Sequence, residues 1–274
     1  MIVTKDFPSR HFNNKEELLN ALRENKKNLK AQKMLQLKEA DAFNYSVSLQ
    51  GNKESVIKNE VNTIENNIQK ITVKFVVNSC GVFDSHGDVH VKGCWNKTAK
   101  DNKNFLHLRE HKATFDNIIS DNVKLSVEEI EIKGIKTECL VATSNIEKKD
   151  NPFMFEKYRD GKVKEHSVGM LYIWDKLFLC INSEHEADKE EKENWDKYYD
   201  QVINKDELNE VGYFWAVAEA KAREGSAVVF GSNSETPTIS VEENKNEPEQ
   251  STQTIIEPSN DTQKFVSIIN NLKI

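Results

Sequence analysis

Three short stretches carry residues that could do chemistry: GVFDSHGDVHVKGCW over 81–95, FLHLREH over 105–111 and EHSVGM over 165–170. In the second, His107, Glu110 and His111 spell HxxEH. On a helix this spacing sets two imidazoles one turn apart, where they can hold zinc while the glutamate activates a water. Leu106 and Leu108 alternate instead as strand residues do, and a structural histidine at a strand end is the competing reading. In the third stretch, strand periodicity puts Glu165, Ser167, Gly169 and Leu171 on one face, with His166, Val168, Met170 and Tyr172 on the other. His166 therefore cannot activate its neighbour Ser167, and a base for that hydroxyl must come from elsewhere in the chain. Gly169 would let another backbone or a substrate approach closely. In the first stretch, Asp84, His86 and Asp88 lack the spacing of a calcium loop, and Gly87 and Gly93 read as turn residues, which makes it a structural loop.

These residues need elements to position them. Asn14 followed by Glu17 resembles a capping box, and the run to Ala40 predicts a helix with a narrow stripe of Leu18, Leu22 and Leu29. Phe43, Tyr45, Val47 and Leu49 alternate as in a strand, whereas Ile57, Val61, Ile64 and Ile68 share one helical face. Alternation returns at Ile71, Val73, Phe75 and Val77. Leu125–Ile132 and Ile135–Val141 flank Lys133-Gly134 as a hairpin would. Pro152 opens a short helix closed by Gly161, and Val163–Trp174 with Lys176–Ile181 reads as a second antiparallel pair. The charged run Glu184–Tyr199 predicts a solvated helix anchored by Trp195, Tyr198 and Tyr199. LNEVGYFWAVAEAKAREGSAVVFG predicts a buried strand or short helix and then an Ala-rich turn of helix. Beyond Gly231 the composition becomes Ser, Thr, Asn, Glu and Pro, which predicts a disordered linker before a short amphipathic end, QKFVSIINNLKI.

Of the 274 residues 37% are apolar and 30% charged, with a formal net charge of −7, enough for one good core plus polar extensions. The acidic balance argues against a general nucleic-acid binder. No run approaches the roughly 18 apolar residues that cross a membrane, and the start lacks a signal-like apolar region, so an intracellular or intravirion protein is expected. Cys80, Cys94, Cys139 and Cys180 show no CxxC spacing and read as small hydrophobes.

Taken in order, DSHGDV with GCW, FLHLREH, EHSVGM and LNEV resemble the motifs of the tailed-bacteriophage prohead proteases, serine proteases that share a β-barrel fold with the herpesvirus assemblins. The match spans about Ile71 to Gly231. The resemblance implies a mostly antiparallel β-barrel protease domain over 71–231; with the flanks read from the residues, the expected chain is α+β, with an N-terminal helical extension carrying one strand over 1–70 and a disordered linker with a short amphipathic end over 232–274. The resemblance makes Ser167 the nucleophile, His111 its general base and Glu210 of LNEV the third, orienting acid. His185 is the rival for that role, because the assemblins use a second histidine. After LNEV the family usually continues with Ser and a Pro-Ala-Asn turn, where this chain has Gly212 and YFWAVAEAKA. No cofactor or metal is implied. The implied substrates are the major capsid protein precursor and the scaffold protein, cut inside the assembling procapsid in the host cytoplasm. Self-cleavage of the tail and homo-oligomerisation are compatible with it, and neither a membrane nor a specific nucleic acid is a partner. A non-enzymatic scaffold-like assembly protein is the reading of a different class, and an HxxEH metalloprotease the third.

Overall fold

The computed structural model describes residues 1–35, 68–101, 104–132 and 134–244. The chain opens with a hairpin, β1 (Ile2–Thr4) and β2 (Phe7–Phe12), and enters α1 (Lys15–Leu35). Asn14 Oδ1 accepts the Glu17 N–H at 2.9 Å, and the Glu17 carboxylate returns to the Asn13 N–H at 3.0 Å, satisfying donors that a helix start leaves open. Leu18, Leu22 and Leu29 are buried in the main core with Phe12. The helical extension expected over residues 1–70 is thereby corrected: hairpin and helix belong to the same compact unit as the sheets, Met1–Asn244. Charge fixes the join. Buried Lys33, near the end of α1, lies 2.8 Å from Asp88 and 3.7 Å from Asp6, and Asp6 accepts hydrogen bonds from Tyr213 and Trp215. The strand expected at Phe43–Leu49 lies outside the described residues, as does the expected helical face from Ile57 apart from its last member, Ile68.

Next come β3 (Lys70–Ser79), β4 (Asp88–His90), α2 (Asn96–Asp101), β5 (Leu106–Arg109), β6 (Ile118–Ser120), β7 (Val123–Ile132) and β8 (Ile135–Glu147). β7 and β8 form the expected hairpin, turned at Gly134 with φ of 81°. α3 (Pro152–Arg159) begins with proline behind Asn151, whose Oδ1 caps the Met154 N–H at 3.1 Å. β9 (Glu165–Tyr172), β10 (Leu177–Ile181), α4 (Lys189–Tyr198), α5 (Lys205–Val211), β11 (Tyr213–Val217), β12 (Ala220–Val228) and β13 (Thr238–Asn244) complete the unit.

Among the described residues there are, beside the N-terminal hairpin, three sheets, ordered β13-β3-β8-β7, β6-β5-β12-β9 and β10-β11-β4. Every pairing among the described residues is antiparallel except β5 with β12 and β4 with β11, so the expected α+β, mainly antiparallel class holds. Two expectations are corrected. β9 and β10 do not pair with each other: a single turn at Trp174–Lys176 sends β10 to β11, and β9 takes β12. The Ala-rich stretch is strand β12 and not a helix, because Ala220 and Ala222 are buried while Lys221 and Arg223 are exposed, a period of two.

The linker expected from Ser232 is likewise corrected over residues 232–244, which are structured, while the rest of it and the amphipathic end QKFVSIINNLKI lie outside the described residues. β13 adds to the edge of β3, and the residues before it bridge two sheets. Pro237 C=O accepts the Val76 N–H of β3 at 3.0 Å, while Thr236 C=O accepts the His166 N–H of β9 at 3.1 Å. A polar segment stays in place here through backbone pairing, which needs little apolar area.

Candidate active site

β5 ends at Arg109, and the chain reverses through Glu110 and His111, both left-handed with φ of 52° and 56°. That conformation costs a non-glycine residue ~1–2 kcal/mol, so neighbouring groups must hold it. They do so by hydrogen bonds. The Glu110 N–H donates to Ala227 C=O at 3.0 Å, and the His111 N–H donates to Ser226 Oγ at 3.0 Å. Ser226 passes its own proton on, donating to Glu224 Oε2 at 2.7 Å. Glu224 Oε1 then accepts from His111 Nδ1–H at 2.5 Å, closing a ring of bonds between the turn after β5 and strand β12.

This ring decides the chemistry of the imidazole. With Nδ1–H on a carboxylate, Nε2 carries the lone pair and can take up a proton. His111 Nε2 is buried and has no hydrogen-bond partner among the described residues. A buried imidazole nitrogen in that state is costly unless a ligand or a moving hydroxyl meets it.

Ser167 stands on the adjacent strand. In the register of β9 with β12, Ser167 faces Ser226 and Gly169 faces Glu224. Directly opposed residues of an antiparallel pair share a face, with Cβ atoms ~4.5–5.5 Å apart, so the Ser167 hydroxyl is on the face where Ser226 and Glu224 hold His111. His166 is on the core face, as the alternation predicts. Ser167 is 3% exposed and the His111 side chain 5%, so the site is closed over. Gly169 plays a different part from the one expected. A Cβ there would lie 1.9 Å from Glu224 Oε1, so the space it leaves is filled by the carboxylate and not by a substrate backbone.

Glu210, the acid implied by LNEV, is exposed on α5 and is corrected. LNEV is helical: Leu208 is its buried residue and Glu210 points to solvent, while the carboxylate bound to His111 is that of Glu224. His185 is an exposed helix cap, its Nδ1 accepting the Ala187 N–H at 3.1 Å. Glu224 was missed because AREGS reads as helix. Once the stretch is set as a strand, a glutamate falling inward between alanine, glycine and serine is the available signal.

The HxxEH zinc reading fails on geometry. His107 is on a strand and His111 in a turn, and both nitrogens of His107 are engaged elsewhere. Ser144 Oγ lies 2.9 Å from His107 Nδ1, Tyr158 Oη 2.8 Å from His107 Nε2 and 2.9 Å from His166 Nε2, and His166 Nδ1 3.1 Å from Thr236 C=O. The terminal carbonyl can only accept, so the proton order is set along the whole chain. Ser144 O–H donates to His107, His107 Nε2–H to Tyr158, Tyr158 O–H to His166, and His166 Nδ1–H to Thr236. This order holds for two neutral rings, the form that burial favours. Burial pushes His107 well below the usual histidine range and His166 down to about 3, while the same burial raises Tyr158.

DSHGD is a structural loop. Asp84 Oδ1 accepts the N–H groups of His86 and Asp88 at 2.8 and 3.1 Å, and Asp88 is paired with Lys33 and receives the Tyr172 hydroxyl. The four cysteines are buried free thiols. Among the described residues no cluster of three or more His, Cys, Asp or Glu could hold a metal ion, and no helix is long and apolar enough to cross a membrane. Compared with known family models, curated proteins and solved structures, the chain matches none.

Proposed function

We propose that the protein is a serine endopeptidase of the prohead-maturation type, with Ser167 as nucleophile, His111 as general base and Glu224 as the orienting acid. One observation carries the reading. His111 is clamped through Nδ1 by Glu224, its buried Nε2 has no hydrogen-bond partner among the described residues, and Ser167 stands opposite Ser226 in the strand pair whose Ser226 and Glu224 hold His111. A serine alcohol attacks a peptide carbonyl only if its proton is removed as it does so, and this reading assigns that proton to His111 Nε2. The same nitrogen then returns the proton to the leaving amine, and Glu224 stabilises the imidazolium in between.

The wall of strands supports the assemblin-like barrel that goes with this reading. Through residues 236–238, backbone hydrogen bonds carry the order β7-β8-β3 on into β9-β12-β5-β6, and Phe75 of β3 stacks on His166 of β9 at 4.1 Å. The substrates are the capsid precursor and scaffold proteins of an assembling head, cut inside the procapsid in the host cytoplasm, and access requires the residues over Ser167 to move aside. The test is co-expression with those two proteins and mass spectrometry of the products. Wild type should trim both, Ser167→Ala and His111→Ala neither, with unchanged melting of Ser167→Ala; His111→Ala also leaves the buried Glu224 carboxylate without its imidazole partner and should melt lower. The same cleavages in Ser167→Ala would end the serine-protease reading.

A further inference from the structure

The ring of bonds at His111 contains a residue that no mechanism of proton transfer requires: Ser226. Its hydroxyl accepts the N–H of the strained His111 backbone and donates to Glu224, so one oxygen ties the turn to the carboxylate. Ser226 is fully buried, and its neighbour across the strands is Ser167. On the other side of Glu224 lies Gly169. A Cβ at 169 would come within 1.9 Å of Oε1, 2.7 Å of Cδ and 2.9 Å of Cγ, all on the Glu224 side chain. The hydroxyl thus holds one carboxylate oxygen, and the missing side chain makes room for the other.

We propose that Ser226 and Gly169 are positioning residues that together set the Glu224 carboxylate against His111 Nδ1. Neither touches the reacting atoms. Without the Ser226 hydroxyl, Glu224 Oε2 and the His111 N–H each lose a partner, and both the carboxylate and the turn are freed to drift. A methyl at 169 pushes the carboxylate off the imidazole directly, and the side chain, being flexible, yields before the backbone does. The functional consequence rests on the serine-peptidase reading, whereas the placement of the carboxylate does not.

The test uses the full chain and two readouts. The first is the downfield proton resonance of an imidazole Nδ1–H bonded to a carboxylate, assigned to His111 by its loss in Glu224→Gln. The second is the rate at which a fluorophosphonate probe labels Ser167. Ser226→Ala and Gly169→Ala should each lose or shift the resonance and slow labelling by about 10- to 100-fold, as expected for a catalytic group displaced by a fraction of its own size. Ser226→Thr, which keeps the hydroxyl, should recover the resonance and most of the rate. The Gly169 variant leaves Ser226 intact and so gives a second, independent answer. A wild-type resonance in Ser226→Ala and Gly169→Ala overturns the inference, whatever the labelling. A resonance lost in those variants, with a wild-type protein that the probe does not label at Ser167, upholds the positioning and sinks the peptidase reading instead.

Discussion

At the scale of single residues, the site turns on which carboxylate serves His111. Glu224 is bonded to Nδ1 at 2.5 Å, and Glu210 is exposed on α5. An orienting acid fixes the tautomer and supports the imidazolium, so replacing it by an amide of the same shape should leave the fold and remove much of the rate. On the proposed peptidase reading, Glu224→Gln should therefore lower kcat on a peptide substrate on the order of 100-fold or more and leave some activity, since that reading keeps Ser167 as nucleophile. Glu210→Gln should match wild type, and a larger loss there than at Glu224 would reverse the assignment. Ser167 and His111 could be singled out from the sequence because the signals that mark them are local, a hydroxyl two residues before a glycine and a histidine at the end of an apolar alternation. Glu224 was not, since its role depends on facing Gly169 across a strand pair, and no local pattern encodes that register.

At the scale of elements, α3 is pinned into the core by Tyr158, whose hydroxyl joins His107 on β5 to His166 on β9. Tyr158→Phe removes that oxygen and leaves a donor on one ring and an acceptor on the other unpaired in a dry interior. Each such orphan costs ~1–3 kcal/mol, so the variant should unfold at clearly lower denaturant with little change in activity per folded molecule. Equal denaturation midpoints would mean that water replaces the hydroxyl. His107→Ala should be worse, since it adds a cavity to the unpaired groups. The elements with strict alternation or with proline and glycine at their ends, β3, the β7–β8 hairpin and α3, could be read from sequence because their signals are short-range. The exchange of partners by β9 and β10 could not. Two neighbouring strands pair by default, and only the turn at Trp174–Lys176 and the competing faces of β11 and β12 override it.

At the scale of the whole molecule, composition misled at both ends for one reason: it registers apolar area, not backbone pairing or a single buried charge. Lys33 joins α1 to the sheets by a buried ion pair beside its leucine stripe, and residues 232–244 are polar yet close the seam between β3 and β9. A chain ended after Phe230 should consequently lose its cooperative melt, whereas one ended after Asn244 keeps every contact of the described unit; equal melts would return the seam to the status of a linker. The seam also supplies the carbonyl that sets the proton order of the two buried histidines, and acid stability follows from that order. Both rings are held neutral by burial, His166 with its pKa down to about 3 and His107 well below the usual range. In the unfolded chain each returns to ~6.5. Below that value the unfolded state binds protons that the folded state refuses, so stability is complete above it and falls as the pH drops toward the folded values, by up to ~1.4 kcal/mol per pH unit for each ring. The carboxylates held low by partners, Asp188 beside Arg23 and Glu128 beside Lys74, begin to withdraw their support only in more acid solution. Between pH 7 and 5.5 the two histidines should therefore lower the unfolding free energy by roughly 2 kcal/mol, read as a shift of the urea midpoint at constant slope. A midpoint that stays level across that interval would show that at least one ring is charged in the folded protein, and the proton order assigned through Tyr158 would have to be abandoned.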